Sequence, residues 1–293
     1  MDSFKRGFAF LKQSWQMAWA DKDLIRPSIL ALFAGFAVTL IGLAPVALVG
    51  FLLGDSIIGR VIMFILGAAL IFLQYLVGYI FSAMTVYLIY GYLAEGDGRM
   101  DKAWAIVGRD IWDIASLAAA STIVNLIKNA IKGKGKSGGR NMLAGLLDTV
   151  LTEAAFLVLP AMVIEDINLK DGLKRAAQIV KNNLLLVGVS TVGVKAVTGL
   201  IGFLLGGGGV ALGLAVGAGI VAFNPTGALN WISGISVGII VATPFIMAAT
   251  VISAYTATAY HTCLYLWARD VERAAGSSVE VQAPAPLAAV LGK

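Results

Sequence analysis

Long uninterrupted apolar runs dominate the chain, separated by short polar breaks. A helical crossing of about 30 Å of hydrocarbon takes about 20 apolar residues. By that measure, spans are expected at about 28–53, 57–93, 114–131, 143–164, 184–205 and 232–268. The 28–53 run carries no charge, whereas 57–93 is far longer than a crossing requires and predicts a helix that tilts and projects beyond the bilayer. Asn125, Lys128 and Asn129 interrupt 114–131, which makes it the weakest of the six. Residues 210–223 are too short to cross untilted and form a candidate re-entrant helix rich in glycine, and Pro244 is expected to kink the last span. None of these runs alternates with period two, so strands are excluded. The expected fold is all-α: a polytopic membrane protein with about six transmembrane helices and amphipathic interfacial helices.

Three spans follow short amphipathic stretches. The first stretch places Phe4, Phe8, Leu11, Trp15 and Ala18 on one stripe, at spacings of 3 and 4. Trp104, Val107, Ile111 and Ile114 form the second stripe, and Leu173, Ala177, Val180 and Leu184 the third. Basic residues cover the opposite faces, as suits helices lying at lipid headgroups. The strings starting at Met17, Ala103 and Ala176 align on a polar triplet, which suggests a repeated unit of interfacial helix, polar break and membrane hairpin. The chain is thus divided into an interfacial N-terminus (1–27), one membrane domain (28–275) and a mobile C-terminal tail (276–293). With six crossings and the N-terminus inside, most Lys and Arg outside the spans fall on the cytoplasmic side, so both termini are expected there, in a prokaryotic plasma membrane. The basic loop from Lys128 to Arg140 violates that count, so residues 114–164 either span or re-enter.

Composition agrees with the pattern. The 293 residues are 59% hydrophobic and 13% charged, against about 25% charged in ordinary soluble domains. One Cys and one His exclude internal disulfides and histidine- or cysteine-based metal clusters, and no cofactor motif is present. The net charge of +5 is explained by topology and anionic lipid without invoking nucleic acid.

The pattern resembles a known group. The strings "DKDLIRPSILALFAGF", "YLAEGDGRMDKAWAIVGRDIW" and "FLVLPAMVIEDINLKDGLKRAAQIVKNNLLLVG", with Pro160, Glu165 and Gly172–Ala176 as markers, are similar to prokaryotic YciC-like membrane proteins. They are also similar to the membrane domain attached to some glycerophosphodiester phosphodiesterases, and more faintly to CysZ-type sulfate permeases. The resemblance covers residues 4–205, implies an all-helical membrane fold and brings no catalytic residues.

A few residues stand out within the apolar runs. Glu153 and Lys195 lie at matched depth and could pair, either along an ion path or as a buried clamp, because a lone membrane charge costs about 3 kcal/mol. Asp148 and His261 are secondary polar candidates, with His261 read as an interfacial anchor among aromatics and Cys263 as packing. Gly202, Gly206, Gly209, Gly213, Gly217, Gly234 and Gly238 recur largely at four-residue spacing, as in close helix packing or self-association. Lys5, Arg6, Lys12, Trp15, Lys174 and Arg175 are candidate headgroup contacts. The expectation is a non-catalytic, lipid-contacting scaffold or accessory protein that forms a homo-oligomer or meets a further membrane partner. The alternative is an ion or small-solute channel using the Glu–Lys pair and the glycine face.

Overall fold

The computed structural model describes residues 2–54, 56–132, 156–182, 197–223, 227–274 and 281–291. Among these residues the chain is helical throughout, with no strand, as expected of an all-α polytopic membrane protein. Among the described residues, five helices are long and apolar enough to cross a membrane.

Helix α1 (Asp2–Ala20) ends at Asp21, which caps the following turn. The Asp21 carboxylate accepts from Asp23 N at 2.9 Å and from Gly98 N at 2.7 Å. One side chain therefore stops a helix and ties it to a loop 77 residues away. Helix α2 (Arg26–Leu53) starts just after, with Pro27 in its first turn, where the missing N–H costs nothing. Helix α3 (Ile57–Glu95) returns antiparallel to it, capped by Ser56 Oγ on Gly59 N at 2.9 Å. It ends at Gly96, whose φ of 79° suits a residue without Cβ. Gln74 of α3 clamps the hairpin, donating to Gly35 O at 2.9 Å and to Thr39 Oγ1 at 2.6 Å.

Helix α4 (Met100–Lys132) is continuous. The sequence pattern predicts a break between an interfacial stretch and the 114–131 span, as in the first copy of the proposed repeat. The break is absent because its charges are paired: Arg109 binds Asp110 through two nitrogens at 2.6 and 2.9 Å and reaches Asp166 at 2.9 Å. The second copy of the repeat is thus a single helix. Helix α5 (Phe156–Glu165) is short and buried, and Asp166 closes it with φ of 54°. Helix α6 (Leu169–Asn182) follows, with Asn168 Oδ1 accepting from Asp171 N at 3.0 Å.

Helix α7 occupies residues 197–223. A π-helical turn, Phe203–Gly207, joins its first part to Gly208–Phe223. The stretch 210–223 is therefore not a separate short helix but the continuation of one that begins within the expected 184–205 span. Glycines 206–208 do not break the chain, because a π-turn absorbs the mismatch while keeping backbone hydrogen bonds. Helix α8 (Ala228–Arg273) carries Pro244 internally, and α9 (Ala285–Leu291) adds a helical turn within the tail.

Helices α3 and α8 have 39 and 46 residues. At 1.5 Å per residue they are about 58 and 69 Å long, roughly twice the hydrocarbon thickness. Their two halves differ. The first half of α3 with α2, and the first half of α8 with α7, expose large apolar side chains, among them Phe51 (90%) and Leu229 (81%). The second halves, with α1, α5, α6 and part of α4, enclose the core, including Phe10, Met84, Leu88, Leu157, Ile179 and Tyr260. The molecule is a packed head carrying two apolar hairpins.

The N-terminal helix belongs to that head. Its buried residues are Gly7, Phe10, Ser14, Met17 and Ala18, whereas Phe8 is 55% exposed. The expected stripe through Phe8, Leu11 and Trp15 is therefore rotated by about one residue, or 100° of helix. Ser14 meets the tyrosines of α8, with Tyr255 Oη donating to Ser14 O at 3.0 Å, and Trp15 packs edge-on against the Tyr255 ring at 5.8 Å. Phe10 meets the Tyr260 ring edge-on at 5.6 Å.

Candidate functional site

Two polar constellations stand out against the apolar background. The first lies between α3 and α4. Tyr79 Oη and Ser121 Oγ are 2.7 Å apart, and Asn125 Nδ2 donates to Tyr75 Oη at 3.1 Å. Asn129 Nδ2 donates to Asn125 Oδ1 at 2.9 Å. Four-residue spacing on both helices aligns these groups: Tyr75 and Tyr79 stack with centroids 5.9 Å apart, facing Ser121, Asn125 and Asn129. The weakness of the third span thus has a partial structural cause, since Asn125 meets Tyr75 of α3 and holds Asn129 on its own helix.

Tyr79 also borders a cavity of about 60 Å³, together with Ser82, Val86, Phe156, Leu159, Pro160, Ala257, Thr258 and His261. His261 is 5% exposed and its Nδ1 lies 2.7 Å from Ala257 O. A carbonyl only accepts, so Nδ1 carries the proton in that bond. The imidazole stacks on Phe156 with centroids 4.8 Å apart. The expectation of an interfacial anchor is corrected on burial: the ring is enclosed by protein because α5 covers it. In the α2–α3 hairpin, Gly42 is opposite Leu70 and Gly35 is opposite Gln74. Continuing that register sets Tyr79 near the level of Leu30, where the exposed apolar band begins.

The second constellation is charged and locks the head. Arg175 of α6 binds Glu165 at 3.2 Å and also Glu272 of α8, while Asn182 donates to Glu272 at 3.3 Å. Burial pulls the guanidinium pKa down, but the bond to Glu272 and the nearby Glu165 outweigh it and hold the group above its ordinary value. The Tyr265 hydroxyl is buried beside this group, without a hydrogen-bond partner among the described residues. Asp113 of α4 accepts from Leu169 N at 3.4 Å, so a third helix fixes the start of α6. Lys174 and Asn168 bind Asp171 and hold its carboxyl below the usual range.

Two of the expected headgroup contacts are therefore reassigned. Arg175 is occupied by two carboxylates, and Trp15 turns inward, its indole donating to Thr256 Oγ1 at 3.3 Å. Lys5, Arg6, Lys12 and Lys174 remain exposed. The glycine ladder closes on its own chain. A Cβ on Gly217 would sit 2.6 Å from Gly234 O, and one on Gly238 would sit 2.7 Å from Gly213 O. Gly209 is blocked by Phe245. Gly202 and Gly206 pack loosely, against Ser253 and Ala249. Alongside this contact runs an apolar furrow of about 590 Å³ between α7 and α8.

Glu153, Lys195 and Asp148 lie outside the described residues. Among the described residues no group of three His, Cys, Asp or Glu side chains could hold a metal. Cys263 is fully buried, in keeping with a packing role. Sequence reasoning missed Tyr75, Tyr79 and Ser121, although their four-residue spacing against Asn125 is visible, and it missed the Arg175 lock, whose partners are 10 and 97 residues distant. No protein-family model matches this chain, and no curated protein matches it.

Proposed function

We propose that this chain is a non-catalytic integral membrane protein, a self-associating scaffold or accessory component held in lipid by its two apolar hairpins. The observation that carries the reading is the contrast between those hairpins and the head. The most apolar windows of α2 and α3 have none of their residues buried within the chain, so lipid or another membrane protein must cover them. Self-association through their outer faces and the α7–α8 furrow accounts for apolar surface that the glycine contact leaves open. The resemblance to YciC-like proteins accords with this reading but assigns no chemistry to it.

Topology belongs to the same proposal. Helices α1 and α9 touch, Gly98 is bound to Asp21, and Arg175 is bound to Glu272, so both ends of the described chain share the head. The head gathers Lys22, Arg26, Arg99, Lys102, Arg109, Lys170, Lys174, Arg269 and Arg273. The Lys/Arg rule favours a cytoplasmic head, and the resemblance favours a prokaryotic plasma membrane. Particle mass in mild detergent tests the scaffold reading: assemblies of several chains are expected, and single chains under every mild condition would refute it.

A second reading, a path for a small ion or solute, is favoured by the polar line from Tyr79 to Asn129. Polar groups within an apolar helix bundle are costly without partners, and here they form one connected line. Flux into liposomes that falls on Asn125→Leu separates this reading from the scaffold.

A further inference from the structure

The outward face of α1 is chemically unlike its inward one. Lys5, Phe8, Lys12, Gln16 and Trp19 follow one another at spacings of 3 and 4, and all are exposed, Trp19 at 70%. Arg6 is exposed beside them, and no acidic residue occurs between Lys5 and Ala20. The inward side is covered by protein. Phe10 and Ser14 meet α8, and the tail helix α9 packs on α1 with Leu287 fully buried. Two helices thus hold α1 and fix which side it turns outward.

The depth of α1 follows from its contacts. Trp15 donates to Thr256 and Phe10 meets Tyr260, which lie two residues to either side of Thr258. Thr258 shares the small cavity of about 60 Å³ with Tyr79, and Tyr79 is near the level of Leu30, where the exposed apolar band begins. The middle of α1 is therefore level with the edge of that band.

We propose that this face of α1 is a binding surface for anionic lipid headgroups. Its apolar side is taken up by protein, so what α1 offers lipid is charge and two aromatic rings. Each basic residue near an anionic leaflet strengthens binding about fivefold, but only within a Debye length of about 8 Å. A stripe centred at the edge of the band meets that condition. Arg273, 15 residues past Thr258, is about 22 Å further along α8 and does not. Phe8 and Trp19 are placed where rings are favoured, at the boundary of hydrocarbon and water, and a free phosphate ion offers them no apolar contact.

Hydrogen–deuterium exchange of the full chain in bilayer nanodiscs reads α1 locally. Discs of phosphatidylcholine alone are compared with discs in which phosphatidylglycerol replaces an increasing share. Exchange over residues 5–20 is expected to slow as that share rises. Lys5→Gln, Arg6→Gln and Lys12→Gln combined should raise the share needed about 100-fold, at about fivefold per charge, which is more than a bilayer can hold, so the slowing disappears. Lys102→Gln with Arg273→Gln removes charge from the far end of the head, where Lys102 pairs with Glu95, and should leave the slowing intact. Should the triple variant fail to fold, 1 M salt shortens the Debye length to about 3 Å and should remove the slowing from the native chain. The proposal is overturned by equal exchange in both kinds of disc, or by slowing that survives the triple variant or is lost equally in the control. Slowing reproduced by inorganic phosphate in phosphatidylcholine discs also overturns it. Discs holding a single chain give this readout, so its failure is distinct from a failure of self-association.

Discussion

The glycine contact between α7 and α8 offers a measurement with an internal control. Gly217 is buried, and a Cβ there would lie 2.6 Å from Gly234 O, whereas ordinary van der Waals contact begins near 3.4 Å. The two helices would have to separate by close to an ångström, or the backbone would have to bend. Overpacking of this kind costs about 1–3 kcal/mol. Alanine also gains about 1 kcal/mol over glycine in a helix interior, which obscures the loss in a single variant. Gly219 removes that ambiguity, because it lies on the same helix two residues on, is exposed, and has nothing within 4 Å of its would-be Cβ. The propensity gain is common to Gly217→Ala and Gly219→Ala and cancels in their difference. The expected difference is therefore the overpacking cost itself, about 1–3 kcal/mol in favour of Gly219→Ala. Thermal unfolding of both variants in the same detergent reads it, as does a disulfide cross-link engineered across the α7–α8 seam. Equal stability of the two variants would refute the claim that this glycine face is used within the chain.

Other outcomes follow from the head. Arg175→Gln leaves Glu165 and Glu272 facing each other at a site where the arginine side chain is 21% exposed; hydrogen–deuterium exchange over 169–182 should rise, by the equivalent of about 2 kcal/mol for lost charge-assisted bonds. The Asp171 carboxyl is held low by Lys174 and Asn168, so its contribution is fully present above the unfolded carboxylate range and is lost as pH falls through the folded value. Protection of the first turn of α6 should therefore be flat from neutral pH to about 5 and fall only in stronger acid. Cys263 is the single cysteine and fully buried; a maleimide should leave the native protein unmodified and label it only after unfolding, and rapid labelling of the folded protein would contradict the packing of α8. Gln74→Leu should lower the melting temperature through loss of the clamp on Gly35 and Thr39, at about 0.6–2 kcal/mol for such interhelical bonds.

Much of the architecture was decided by local sequence, because an uncharged apolar run such as 28–53 has one low-energy option in lipid, the helix that satisfies its own backbone. The class of fold, the α2–α3 hairpin with its short turn, the excess length of α3 and the close packing of four-spaced glycines all follow from that constraint, whereas the joining of 197–223 into one helix paired with α8 does not. Tertiary structure alone decided where helices stop and which faces meet. The polar triplet near Asp21 breaks the chain, while the similar one at Arg109 does not, because Arg109 finds Asp110 and Asp166 and its charge ceases to oppose the helix. The α1 stripe turned by about a residue because its partners are α9 and the tyrosines of α8, against which Phe10 and Trp15 pack, and a periodicity cannot name its partner. His261 became an enclosed residue for the same reason, once α5 packed across it. Hydropathy depends on each residue and its near neighbours, so it can be read along the chain. Pairing energies depend on residues as far apart as Arg175 and Glu272, and only the folded molecule brings them together.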